Sequence, residues 1–233
     1  MSDSARTTHI VFVLFPEVTQ LDFSGPAQFL ARLPGARIFV AAENTQPIST
    51  DSGFCIVPNT SFGSCPQADV LCAPGGRGVV GAVTHAPLVE FVRAQGAQAR
   101  WITSVCTGAF ILGVAGFLVG KRATTHWAYT QLLHRVGAVH EDARVVSDGN
   151  VITAGGVTSG IDFALTLIAE IAGSETAQQL QLALEYDPAP PFECGRPGSS
   201  PEALVSQLKA RWYDNAASRM AEALALARPL APG

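Results

Sequence analysis

Mostly apolar stretches of six to nine residues recur along the chain, separated by polar or glycine-rich turns. Such runs, rich in β-branched and aromatic residues, are typical of strands buried on both faces of a parallel sheet. Helical spacing is visible between them, for example at Leu88, Phe91 and Val92. The pattern predicts strands at 8–15, 36–43, 68–76, 100–105 and 150–156, and helices at 27–33, at 87–99, and after residues 106, 126 and 156.

The alternation of strands and helices favours an α/β fold in which helices cover both faces of a parallel sheet. In open sheets of this kind, ligands bind at the carboxyl ends of the strands. The turns expected to meet there are Leu21–Pro26, Pro74–Gly78, Cys106–Gly108 and Gly155–Ser159.

The domain organisation is expected to be simple. Nothing in the 233 residues marks a domain boundary, so the sequence predicts one domain over residues 1–233. A loop at 187–201 is rich in Pro, Gly and Ser, and residues 196–233 are predicted to form a C-terminal helical arm. The arm is expected to pack either on the core or on a second subunit.

Composition narrows the class of protein. Hydrophobic residues make up 48% of the chain, and the net charge of −4 disfavours binding to nucleic acid or to an anionic membrane. The longest apolar stretch, 109–120, is shorter than the ~20 residues that cross a bilayer, and the N-terminus has no signal-peptide pattern. Five cysteines without a CxxC motif indicate reduced thiols. A soluble cytoplasmic protein is expected.

Cys106 is the first candidate for chemistry. It follows a predicted strand, precedes a predicted helix, and lies between the small residues Ser104 and Gly108. This is the pattern of a nucleophile elbow, where a sharp turn requires small neighbours. The helix that starts at Thr107 would lower the pKa of the thiol through its dipole. The alternative, a buried and inert cysteine, is the interpretation we prefer for Cys72.

Asp22 and His126 are candidates with two interpretations each. Asp22 precedes a helix expected to begin near Pro26, so it is either the N-cap of that helix or a carboxyl group that exchanges protons with the thiol. His126 follows two threonines, so it either belongs to a helix cap or lines the pocket and pairs with the cysteine.

The stretch GRGVVG at 76–81 satisfies the G-x-G-x-x-G pattern of dinucleotide sites. A dinucleotide fold would place an acidic residue about 20 positions further on. That region leads to Cys106 instead, and Pro87 interrupts the expected helix, so we predict no nucleotide there. Gly76 is expected to let backbone N–H groups approach a ligand. The sequence also lacks HExxH, paired CxxC and carboxylate clusters, so neither a metal nor a cofactor is predicted.

Several segments together resemble the ThiJ/PfpI superfamily, and within it most closely the isonitrile hydratase family. These segments are VLFPEVTQLDFSGP, CAPGGRG, ITSVCTGAFILGVAGFLVGKRATTHWA, TAGGVTSGIDFAL and LEYDPAPPF, and they cover residues 9 to about 195. The same segments occur in the sensor halves of AraC-type regulators. Those carry a basic DNA-binding module downstream, for which this acidic chain is too short.

The resemblance implies a flavodoxin-like three-layer sandwich with a mostly parallel sheet, of the class I glutamine amidotransferase-like type. It implies Cys106 as nucleophile, Asp22 as acidic partner, and backbone N–H groups at Gly76 and Thr107 that hold the substrate. His126 and Val157 are possible pocket residues. Proteases and glyoxalases of the superfamily usually have histidine after the cysteine, where this chain has Thr107.

The function implied by the resemblance is a cofactor-free lyase that hydrates an isonitrile to the N-substituted formamide through a cysteine thioimidate. Its partners would be the small-molecule isonitrile and water, without nucleic acid or membrane. The resemblance and the apolar composition also predict a homodimer. The alternative from another class is a non-catalytic sensor or redox-stress binding domain that keeps the thiol for oxidation.

Overall fold

The computed structural model describes residues 7–227 and contains a central sheet of seven strands. In chain order the strands are β1 (Thr8–Val13), β2 (Ala36–Ala42), β3 (Ile48–Ser49), β4 (Cys55–Ile56), β5 (Thr60–Ser61), β6 (Val70–Ala73), β7 (Trp101–Val105), β8 (Arg122–Ala123), β9 (Val139–His140), β10 (Val145–Asp148) and β11 (Val151–Ala154). The sheet order is β10-β11-β7-β6-β1-β2-β5, while β3 pairs with β4 and β8 with β9.

Every pairing in the central sheet is parallel except that of β10 with β11 at one edge. All residues of β6 and β11 are buried, as expected for strands covered on both faces. The five strands predicted from the apolar runs are thereby confirmed, together with the mostly parallel sheet. The two-residue strands were not predicted, because they are too short for a pattern, and β10 was not predicted because this edge strand is only partly buried.

Two groups of helices cover the sheet. The helices are α1 (Leu21–Leu30), α2 (Val79–Ala82), α3 (Ala86–Gly96), α4 (Gly108–Val114), a 3₁₀ helix (Trp127–Val136), α5 (Ser159–Ala172), α6 (Ser174–Ala183), α7 (Glu202–Leu208) and α8 (Asp214–Leu226). Helix α5 packs against α1 and α6, whereas α4 contacts α2, α3 and the 3₁₀ helix. None of the helices within residues 7–227 combines the length and the apolar character needed to cross a membrane.

The first helix differs from its prediction. It was expected near Pro26, but it begins at Leu21 and contains Pro26 in its interior. Proline lacks the N–H that would close a helical hydrogen bond, and this is the reason a start at Pro26 is the natural prediction. The earlier start places Asp22 inside the helix.

The C-terminal arm packs on the core, which is one of the two expected arrangements. It contains a short 3₁₀ helix (Pro197–Ser199), α7, a π turn (Lys209–Tyr213) and α8. Helix α8 contacts the 3₁₀ helix at 127–136 and α2, and it buries Met220, Ala223 and Leu224. The part of the predicted arm at 228–233 lies outside the described residues.

Candidate active site

Cys106 lies between β7 and α4 in a left-handed backbone conformation, with φ of +58°. This region is strained for a residue with a side chain, and such strain persists only where surrounding contacts fix it. The Cys106 N–H donates to the carbonyl oxygens of Ala154 at 3.0 Å and Gly155 at 2.8 Å. The Cys106 carbonyl accepts from the Thr125 hydroxyl at 2.8 Å. The sharp strand-to-helix turn predicted at Cys106 is therefore present.

The glycines around the elbow are required by close approach. A Cβ atom on Gly108 would lie 2.0 Å from the carbonyl oxygen of Ala73. A Cβ atom on Gly75 would lie 2.7 Å from the Thr107 nitrogen and 2.8 Å from Asp22 Oδ2. No side chain fits in either position, so glycine lets three strand ends meet around the thiol.

Asp22 is fully buried, with 0% of its surface exposed. Its Oδ2 atom accepts the Gly75 N–H at 2.8 Å, a contact between residues 53 positions apart. Its Oδ1 atom has no hydrogen-bond partner of its own among residues 7–227. The N-cap of α1 is Gln20, so the interpretation of Asp22 as a helix cap is wrong.

Asp22 and Cys106 form a coupled pair of acids. Burial raises the pKa of Asp22 from 3.8 to about 7, although the Gly75 N–H and a contact with the Cys106 thiol oppose the rise. Burial, and then the charge of Asp22, raise the pKa of the Cys106 thiol well above its ordinary value. At neutral pH the Cys106 sulfur therefore keeps its proton, while the Asp22 carboxyl group is near the midpoint of its ionisation.

The expected lowering of the Cys106 pKa by the helix dipole is wrong. Thr107 does act in that direction, through hydrogen bonds from its backbone and its side chain to the sulfur. These contacts are outweighed by desolvation, because only 6% of Cys106 is exposed. The dipole of a helix as short as α4, with seven residues, does not offset that cost.

The two backbone groups predicted to hold the substrate are both occupied. The Thr107 N–H interacts with the Cys106 sulfur. The Gly76 N–H donates to Thr107 Oγ1 at 3.1 Å. Gly76 has a φ of +136°, and a Cβ atom there would lie 2.5 Å from the Glu17 carbonyl oxygen. This glycine is required by packing against the turn after β1.

A cavity of about 650 Å³ opens above the elbow. Its lining includes both possible pocket residues, His126 and Val157, and residues from the C-terminal arm. The other lining residues are Thr19, Asp51, Gly76, Arg77, Val80, Cys106, Thr107, Tyr129, Arg211, Trp212, Tyr213, Asn215, Ala216, Arg219 and Met220. The four predicted turns do converge here, through the contacts of Asp22 with Gly75, of Gly76 with Thr107 and of Cys106 with Gly155.

His126 both caps a helix and lines the cavity. Its Nδ1 atom accepts the Ala128 N–H at 3.3 Å at the start of the 3₁₀ helix. Its ring centroid lies 5.1 Å from that of Tyr213 and 5.8 Å from that of Tyr129. Burial lowers the pKa of His126 to about 4, so the ring is neutral at pH 7 and forms part of an aromatic wall.

The cavity residues that sequence analysis missed belong mainly to the arm. Arg211, Trp212 and Tyr213 follow one another in the π turn, a helix distortion often found at functional sites. No periodic pattern distinguishes a π turn from the surrounding helix, so no sequence signal could have found it. Among residues 7–227, no group of three His, Cys, Asp or Glu side chains could hold a metal ion.

The raised pKa of Asp22 predicts a pH-dependent cost to stability. The difference between 3.8 and about 7 corresponds to ~4 kcal/mol for ionising this group in the folded state. Because the folded pKa is the higher one, the stability that Asp22 contributes is full below pH 3.8 and lost as the pH rises through 7. The free energy of unfolding of Asp22→Asn, relative to that of the wild type, should therefore increase from pH 5 to pH 8. Urea unfolding of both proteins at both pH values measures this increase, and a difference between the proteins that is the same at pH 5 and pH 8 would contradict the prediction.

Comparisons of sequence and of structure with known proteins find relatives of the same family. The model of the DJ-1/PfpI family matches residues 8–170. The isonitrile hydratase of Pseudomonas putida is 50% identical over 202 residues, which cover 87% of this chain and 89% of that protein. A crystal structure of a ThiJ/PfpI family protein from Pseudomonas syringae superposes with a TM-score of 0.87 at 39% identity, covering 92% of this chain and 90% of that one. Drosophila melanogaster DJ-1beta gives a TM-score of 0.67 at 26% identity, covering 77% of this chain and 98% of that one.

Proposed function

The chain belongs to the DJ-1/PfpI family, and we propose that it is an isonitrile hydratase that converts R–N≡C and water into R–NH–CHO. The observation that carries this proposal is the pair of Cys106, which lines the cavity, and the buried Asp22 beside it, in a chain 50% identical to the Pseudomonas putida enzyme. The isonitrile group is neutral, which suits a site whose reacting groups are desolvated.

In the first step, the Asp22 carboxylate takes the thiol proton of Cys106 while the sulfur bonds to the terminal isonitrile carbon. Asp22 then returns this proton to the same carbon, which gives the thioimidate R–N=CH–S–Cys106. The high thiol pKa makes this transfer necessary, because little thiolate exists before the substrate arrives. A carboxyl group with a pKa of about 7 is suited to accept and return a proton near neutral pH.

In the second step, the Asp22 carboxylate draws a proton from water as the oxygen adds to the thioimidate carbon, and Asp22 passes this proton to the nitrogen. The carbon–sulfur bond then breaks, the remaining hydroxyl proton passes through Asp22 to the sulfur, and the formamide R–NH–CHO leaves. The Thr107 N–H, which interacts with the sulfur, stabilises the charge that develops there as the bond breaks. The cycle needs no redox cofactor, because adding water to an isonitrile involves no net oxidation or reduction.

Incubation with cyclohexyl isocyanide or p-nitrophenyl isocyanide tests the proposed reaction. We expect the formamide to appear and to carry one ¹⁸O atom when the water is labelled. Acid quenching followed by intact mass spectrometry should show the protein heavier by one isonitrile, and Cys106 should carry the added mass. Absence of formamide from both substrates would contradict the proposed activity, and formamide without an adduct would contradict only the thioimidate.

The alternative, a redox sensor, is less well supported. Oxidation proceeds through the thiolate and requires an accessible sulfur. Cys106 is 6% exposed, and its pKa is raised by burial and by Asp22. Both features slow oxidation, whereas a substrate-assisted proton transfer can still use the thiol.

We also propose that the protein is a homodimer. Within residues 7–227, four large apolar side chains in the C-terminal part of the chain are exposed: Leu182 at 82%, Phe192 at 78%, Leu226 at 77% and Trp212 at 58%. A symmetric contact would remove such surface from water. Light scattering at micromolar concentration should give about twice the chain mass of 24.4 kDa. A mass equal to that of one chain would contradict the proposal.

A further inference from the structure

Three arginines line the cavity above Cys106, and they come from three different segments. Arg77 lies in the turn after β6, Arg211 in the π turn and Arg219 in α8. Within residues 7–227 none of the three guanidinium groups makes an ion pair or a hydrogen bond; that of Arg211 only approaches the ring of Trp212, with Cζ 5.4 Å from the ring centroid.

The cavity lining concentrates positive charge in a protein whose net charge is −4. Among the residues that the structure describes, the cavity lining contains three arginines but a single carboxylate, Asp51, which already accepts a hydrogen bond from the Thr19 hydroxyl. Guanidinium groups present a planar set of donors that matches an oxyanion.

Two tyrosine rings line the same cavity as the arginines and the thiol. Tyr129 and Tyr213 line the cavity, with ring centroids 6.2 Å apart, and neither hydroxyl makes a hydrogen bond within residues 7–227. Burial, and then the charge of Cys106, raise the pKa of Tyr129 to about 12, whereas Arg77 lowers it. The Tyr129 ring is thus within electrostatic reach of both the thiol and a free arginine.

We infer that the substrate is an isonitrile whose R group carries a carboxylate, with the isonitrile carbon at Cys106, a flat body against Tyr129 and Tyr213, and the carboxylate bound by Arg77, Arg211 and Arg219. This inference rests on the proposed function for its reacting group. The anion site itself does not depend on that function.

Turnover of 4-isocyanobenzoate and of its methyl ester tests the substrate class. We expect kcat/KM for the acid to exceed that for the ester by about tenfold at low ionic strength. Replacing the three residues together, Arg77→Gln, Arg211→Gln and Arg219→Gln, should reduce the ratio to near one. Arg135→Gln, an exposed position on the 3₁₀ helix that does not line the cavity, is the matched control and should keep it. Equal rates for acid and ester in the wild type would overturn the inference.

A second measurement does not depend on hydration. Cys106 can be alkylated with iodoacetate, an anion, or with iodoacetamide, its neutral counterpart. We expect the iodoacetate-to-iodoacetamide rate ratio in the wild type to fall about tenfold in the triple variant and to decrease as salt is added. The same ratio in both proteins, independent of salt, would overturn the inference even if isonitriles are hydrated. If no isonitrile is hydrated but the ratio falls as expected, the anion site stands and the proposed function fails.

Discussion

Replacement of Cys106 by alanine is expected to abolish formamide production, with a loss of about 10⁴-fold or more, as for other enzymes that lose their nucleophile. The proposed reaction forms a bond to sulfur, and within the described part of the chain no other cysteine lines the cavity. The fold should be retained, because alanine experiences the same backbone strain at φ of +58° as cysteine does. The hydrogen bonds that fix the elbow involve only the backbone of this residue.

The other four cysteines provide the controls for this experiment. Cys55 and Cys194 are exposed and Cys65 is half-buried, so serine at each of these positions should keep near-normal activity. Cys72 is fully buried in β6, and Cys72→Ala should lower stability through lost packing while turnover continues. Formamide measured by mass spectrometry on folded, purified variants decides the outcome. Near-normal production by Cys106→Ala would contradict the covalent mechanism.

Asp22→Asn is expected to lower turnover by ~10²–10⁴-fold. Asparagine has the size of aspartate and can still accept the Gly75 N–H that Oδ2 accepts now. It cannot take the thiol proton or return it to carbon, so both proposed steps lose their proton carrier. Asp142→Asn, on an exposed loop, removes a carboxylate away from the cavity and should leave kcat/KM unchanged.

The same variant should make the thiol more acidic. The charge of Asp22 contributes to the raised pKa of Cys106, so its removal should lower that pKa. The expected result is a protein with more thiolate and much less turnover. Alkylation by iodoacetamide against pH measures the first quantity, and formamide formation measures the second. Unchanged activity would leave Asp22 with a structural role only.

The sequence alone determined the architecture around the site. Apolar runs report strands that are buried on both faces, and the spacing of apolar residues reports helices, because both are local properties of the chain. The elbow at Cys106 was visible for the same reason, since the small residues Ser104 and Gly108 stand beside it. The rule that ligands bind at the carboxyl ends of parallel strands then predicted which turns would meet.

Only the tertiary structure decided the chemistry of the pair and the shape of the cavity. The direction in which the pKa of Cys106 shifts depends on desolvation by residues that are distant in sequence. This desolvation outweighs the effect of the local helix dipole that the sequence suggests. The partner of Asp22 is Gly75, 53 positions away, so the choice between a helix cap and a buried acid could not be made locally. The wall formed by Arg211 and Tyr213 depends on how the arm folds back over the core. Burial and electrostatic coupling arise from contacts between segments, and a pattern along one segment does not contain them.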